Sequence, residues 1–234
     1  MSDDLTFAGF SKETLSFYRQ LKRNNNKAWF DRHKGEYEQY VLEPAKAFVV
    51  ALGEKIRESI PGIIAEPKIN KSIFRIYRDT RFSPDKTPYK THLALLLWEG
   101  GLKRMECPSF YIHLEPTKLF LGMGIYIFSS KMISRFRKAV VDPEFGAQLS
   151  DIIHKINRAE GFQVGEKHYK RVPSGFDAQH PNADLLLYRG LHVWQETSLP
   201  DDIYSEKLVQ YCWEKYRPYL PLHQWLLSLI SREF

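Results

Sequence analysis

Apolar positions change their spacing twice along this chain, and the changes mark out its elements. Phe10, Thr14, Phe17 and Leu21 recur at helical steps on one face, with Ser11 placed to cap the first turn. Asn24, Asn25 and Asn26 interrupt that pattern as a turn, because asparagine bonds its own backbone and tolerates left-handed geometry. A second helix carries Trp29, Phe30, Tyr37, Tyr40 and Val41; Pro44 kinks it or opens a third, holding Phe48, Val49, Leu52 and Ile56. Pro61-Gly62 ends the block. From residue 72 the period becomes strand-like over Ser72–Arg78, Leu93–Trp98, Ser109–Leu114 and Lys118–Phe128, and the breaks between the last three are short. Short connections favour antiparallel pairing, since a parallel pair needs a long crossover. Lys131–Val140 and Phe145–Arg158 return to a helical period. A mixed stretch follows, with a strand pair expected at Leu185–Tyr188 and Leu191–Trp194. A final helix near Ser205–Tyr216 precedes Pro218, Pro221 and an apolar tail in which Tyr219 and Trp225 fit helical packing.

Helices, then strands, then helices predict an α+β fold: an antiparallel sheet of about four to six strands packed by N-terminal and C-terminal helices. No repeat or flexible linker divides the chain, so residues 1–234 read as a single domain with a helical block (about 11–60), a sheet-forming region (about 70–130) and a mixed region (about 131–234). A hydrophobic fraction of 43% is too high for a disordered chain. No uninterrupted apolar run exceeds six residues, the length of Leu93–Trp98, against the roughly 20 of a membrane span. The first ten residues carry Asp3 and Asp4 and no apolar leader core, and Cys107 and Cys212 have neither disulfide nor zinc spacing. The expectation is a cytoplasmic protein with no membrane partner and two cysteines acting as small buried hydrophobes.

Charge sharpens the picture. Lys68, Lys71, Arg75, Arg78, Arg81, Lys86 and Lys90 crowd into residues 68–92 against only Asp79 and Asp85, so that window holds five of the six net positive charges. One concentrated patch points to an anion site or a dense ion-pair network. Within it, Arg75-Ile-Tyr-Arg78-Asp79-Thr-Arg81-Phe82, followed by Lys86-Thr-Pro-Tyr89, resembles the signature of an uncharacterised, mainly bacterial family, domain of unknown function 2461. Asn24-Asn25, Lys27 and Trp29-Phe30 resemble that family's N-terminal pattern, and the likeness covers nearly the whole chain. The resemblance carries no known activity, so chemistry must be read from the residues.

On a strand over Ser72–Asp79, Arg75, Tyr77 and Asp79 would share one face, and Phe74, Ile76 and Arg78 the other. Arg78 would then lie among apolar side chains and need a carboxylate or a bound anion. Arg81 and Lys86 fall in a segment stiffened by Pro84 and Pro88. Guanidinium forks at this density suit phosphate or carboxylate recognition. The reading is a phosphate-bearing small-molecule ligand held by Arg75, Arg78, Arg81 and Lys86. Asp79 orients the arginines and Tyr89 offers a hydroxyl at the rim. By analogy with the family pattern, Asn25, Lys27 and Trp29 wall one side. The alternatives are a nucleic-acid-binding module that tracks successive phosphates, and a scaffold whose arginines only hold loops together.

Other features read more plainly. His92 and His113 fall near adjacent strands but show no third ligand at diagnostic spacing, so they read as core or edge histidines and no metal or cofactor is expected. Gly122-Met-Gly124 lies inside a strand and reads as a bulge or a close backbone approach. Lys167, His168, Lys170 and Arg171, with Tyr169 and Phe176, form a second, smaller basic cluster that reads as a solvated turn.

Overall fold

The computed structural model describes residues 5–232; Asp3 and Asp4 lie outside them. The fold is α+β, with a six-stranded antiparallel sheet flanked by N-terminal and C-terminal helices. The helices are α1 (Lys12–Arg23), α2 (Lys27–Arg32), α3 (Lys34–Tyr37), α4 (Glu43–Arg57), α5 (Ser130–Val141), α6 (Phe145–Arg158), α7 (Lys207–Tyr216) and α8 (Leu220–Ser231). The strands are β1 (Ile63–Ile64), β2 (Leu93–Glu99), β3 (Ser109–Leu114), β4 (Lys118–Ile125), β5 (Gln163–Val164) and β6 (Leu191–Ser198), in the order β1-β2-β3-β4-β6-β5. Gln163 stands opposite Trp194, and Val164 opposite Val193. No described helix is long and apolar enough to cross a membrane.

Contacts group the chain into two compact units. One runs to Leu97 and adds Tyr111–Leu121 and Glu196–Lys215; the other comprises Trp98–Phe110, Gly122–Gln195 and the chain from Tyr216. In the first unit α1 begins with a capping box: Ser11 Oγ accepts from the Thr14 N–H and Thr14 Oγ1 from the Ser11 N–H. The same Thr14 hydroxyl donates to the Tyr40 carbonyl at 2.5 Å. Tyr40 sits in a wide π-helical turn, Glu38–Leu42, just before Pro44 enters the first turn of α4. Phe7, Phe10 and Phe48 meet in one aromatic cluster, and Phe17, Trp29, Phe30 and Tyr37 in another. Cys212 is fully buried here.

The second unit packs Phe136, Phe145 and Trp225 ring to ring, and the Trp225 indole N–H donates to the Phe145 carbonyl at 3.0 Å. Cys107 is buried in this unit. His168 and Tyr169 both donate backbone N–H groups to the Leu187 carbonyl, Lys167 pairs with Asp184, and the Arg137 guanidinium lies over the Tyr169 ring. The strand expected over Leu185–Tyr188 is instead a tight 3-10 turn, Ala183–Leu187, which buries Leu185 and Leu186. An apolar run this short fits a buried helical turn as well as a strand, and periodicity alone cannot separate them.

Gly124 has φ +124°, and a Cβ there would lie 2.4 Å from the Leu191 carbonyl oxygen and 2.7 Å from His192 Cα. Backbone meets backbone at this point of the second unit, the close approach that the glycine in a strand foreshadowed. Gly124→Ala is therefore expected to destabilise the protein by about 1–3 kcal/mol. A denaturant midpoint equal to wild type would show that the two strands can part without cost.

Candidate functional site

The basic window does not form one continuous strand. Its first part pairs with β2: the Phe74 N–H donates to the Ala94 carbonyl at 3.0 Å and the Leu96 N–H to the Ser72 carbonyl at 2.8 Å. It then folds onto its own return, through Arg78 N–H to Pro88 O and Lys90 N–H to Ile76 O, both at 2.8 Å. The partner changes at Arg75, where the strand expectation fails. Burial still alternates, with Ile76 buried and Arg75, Tyr77 and Asp79 exposed.

Arg78 also departs from expectation. Its side chain is 26% exposed and sits among polar groups rather than apolar ones. One fork nitrogen donates to Asp85 Oδ2 at 2.6 Å, to the Thr87 carbonyl at 3.0 Å and to the Thr87 hydroxyl. Asp85 also accepts the Thr87 N–H at 2.9 Å. Arg81 grips Asp79 bidentately, Nε to Oδ1 at 2.9 Å and Nη2 to Oδ2 at 2.7 Å, while Lys86 Nζ donates to the Thr80 carbonyl at 2.9 Å. The loop thus uses its own charges to hold its shape, and Phe82 stands at its tip, 92% exposed.

Asn25 anchors the base of this loop. Its Nδ2 donates to the Tyr89 carbonyl at 2.9 Å and its Oδ1 accepts the Tyr89 N–H at 3.0 Å. The Tyr89 ring is buried and stacked on Phe30, with centroids 4.4 Å apart. Trp29 instead stacks on His33 and tilts against Phe17, and Lys27 pairs with Asp31. A cleft of about 330 Å³ opens beside the clamp, and its lining includes Lys22, Asn25, Arg78, Tyr89, Lys90 and His92. Among the described residues Asp85 is the one carboxylate in that lining; Arg75, Asp79, Arg81, Lys86, Lys27 and Trp29 lie outside it.

At the end of that cleft the two histidines meet. His92 directly precedes β2 and His113 lies in the neighbouring β3; their rings stack with centroids 3.8 Å apart and planes 19° from parallel. Glu115 completes the group: its Oε1 lies 3.0 Å from His113 Nε2, and one donor atom from each of the three residues falls within 4.8 Å of the others. Burial, then the neighbouring His113 and Lys90, push the His92 imidazole down to about 3. Burial likewise lowers His113, although the Glu115 hydrogen bond pulls it back up. Spacing hid the third member because Glu115 adjoins Pro116 and reads as the start of a turn. Its signal was alternation, since His113 and Glu115 are two residues apart.

The loop's electrostatics can be tested directly. Hydrogen bonds from Arg81, side chain first and then backbone, pull the Asp79 carboxyl from an ordinary 3.8 to about 2. A carboxyl lowered by folding contributes stability above its ordinary range, and that contribution is lost as pH falls toward about 2. Both partners are exposed, so the contribution is small. In Arg81→Ala the Asp79 midpoint, followed by carboxyl-detected NMR, is expected to return toward 3.8. A midpoint that does not move would mean that Arg81 is not its partner in solution.

No curated protein matches the chain. Residues 13–225, a span that holds the arginine loop, the cleft and the histidine group, match the family described as conserved hypothetical protein (DUF2461). With all but its ends inside that match, the chain belongs to this family.

Proposed function

We propose that the protein binds a small phosphate-bearing ligand in the cleft beside the arginine loop. The observation that carries this reading is the cleft's composition: Lys22, Arg78 and Lys90 line it against Asp85 alone. Its volume of about 330 Å³ falls at the lower end of ligand pockets, about 300–1,000 Å³. Arg81, gripped by Asp79, and Lys86, bound to Thr80, shape the loop rather than meet the ligand. Arg78 does both, bracing Asp85 while facing the cleft. A loop held by its own ion pairs loses little further freedom on binding, which favours affinity. The same pairs support a second, purely structural reading, in which the arginines only fix the loop.

Pyrophosphate separates the two. At about 100 times its dissociation constant it is expected to raise the melting temperature by roughly 5–10 °C. Lys22→Ala or Lys90→Ala should each weaken binding about tenfold, the loss of one charge-assisted contact. The salt dependence should be shallow, whereas a duplex-tracking module would lose affinity with a slope of about −0.9 per phosphate contacted. No melting shift with pyrophosphate at matched ionic strength would leave the structural reading. Tight, steeply salt-sensitive binding of oligonucleotides would replace both.

A further inference from the structure

We propose that His92, His113 and Glu115 bind one divalent transition-metal ion, zinc or ferrous iron, and leave at least one coordination position open. This does not depend on the anion reading; it rests on the donor set and its placement. Two imidazoles and one carboxylate are shared by catalytic zinc sites and non-haem ferrous sites, both of which keep a position for water or substrate. A hard ion such as magnesium prefers an all-oxygen shell.

The placement comes from the sheet. His113 and Glu115 are two residues apart, and His92 directly precedes β2, the neighbour of β3, so adjacent strands bring the three together. Bonds of about 2.0–2.2 Å at a tetrahedral centre put donor atoms roughly 3.3–3.6 Å apart. His113 Nε2 and Glu115 Oε1 are already 3.0 Å apart, and the three donors need only draw in from within 4.8 Å. The carboxylate cancels part of the ion's charge. Lys90, the cation whose charge also reaches His92, has its Nζ on the Arg75 carbonyl at 2.8 Å.

Two further observations suit a ligand set. His92 has no hydrogen-bond partner among the described residues, so its ring nitrogens are committed to no protein group. His113 has a partner behind it: the Tyr111 hydroxyl lies 3.3 Å from its Nδ1. In the metal-free protein the Nε2–H of His113 donates to Glu115 and Nδ1 accepts from Tyr111. When the ion enters between Nε2 and the carboxylate, the imidazole keeps one proton, now on Nδ1. The Tyr111 oxygen accepts from it, as outer partners of metal-bound histidines do. His92 lines the cleft beside Arg78, and Glu115 lines a second cleft of about 360 Å³ with Arg19, Lys22 and Arg23. The open position therefore borders spaces with basic walls.

The test is calorimetric titration of the chelator-treated full chain with zinc chloride and, anaerobically, with ferrous ion, using magnesium chloride as the control. One ion per chain at micromolar affinity or better is expected for zinc or iron, and the arm that binds more tightly identifies the metal. His92→Ala and Glu115→Gln should each lose at least tenfold, while His154→Ala, an exposed histidine on α6, should change nothing. Glu115→Gln keeps the shape of the site, and amide NMR spectra establish that each variant is folded. In wild type, His113 ring resonances should shift on metal addition. Equal zinc affinity in wild type and Glu115→Gln, an equal loss in His154→Ala, tighter binding of magnesium, or no binding at all would overturn the site. Pyrophosphate binding is measured separately in chelator, so failure of the metal site and failure of the anion cleft are told apart.

Discussion

The geometry of the site depends on a side chain that behaves as backbone. The Asn25 amide meets both main-chain groups of Tyr89, one donating and one accepting, across 64 residues of sequence. Tyr89 lies between the two rungs, Arg78 to Pro88 and Lys90 to Ile76, that close the arginine loop. His92 follows three residues later, directly before β2. A single turn of asparagines thus sets where the loop closes, where the cleft opens and where the first histidine stands. Asparagine suits the task because its side chain carries the same donor and acceptor as a peptide group. Aspartate would lack the donor for the Tyr89 carbonyl.

Most of the architecture was legible because its elements obey simple periods. α1, with its Ser11 cap, and α6 fall where the apolar spacing put them, as does β3. β2 was legible as an unbroken apolar run, buried from Leu93 to Trp98. The failures are local. Leu185–Tyr188 is apolar enough for a strand, but its chain coils tightly beneath the His168–Tyr169 turn. Ser72–Arg78 has strand composition, yet it meets two candidate partners and divides itself between them.

The candidate site was legible in its residues more than in its contacts. Crowded arginines were visible in the sequence, but which acid each would take was not. The answer proved mostly local: Arg81 takes an acid two residues away and Arg78 one seven residues away. Lys71 reaches back to a glutamate, Glu66. Trp29 belongs to the aromatic packing of the helical block, a role that residue type cannot distinguish from a wall of the cleft. Glu115 was missed because it adjoins Pro116 and reads as a turn residue, and the His92–His113 stack depends on register, which composition does not contain.

Each compact unit also holds one buried free thiol, Cys212 in the first and Cys107 in the second. Burial raises the pKa of both, far more for Cys212, so neither offers a thiolate to a reagent while its surroundings stay closed. Alkylation must then wait for an opening that uncovers the sulfur, and its rate follows the free energy of that opening. The chain therefore carries a chemical clock in each unit. Peptide mapping of the two labels can show whether the units breathe together or apart, without introducing any probe.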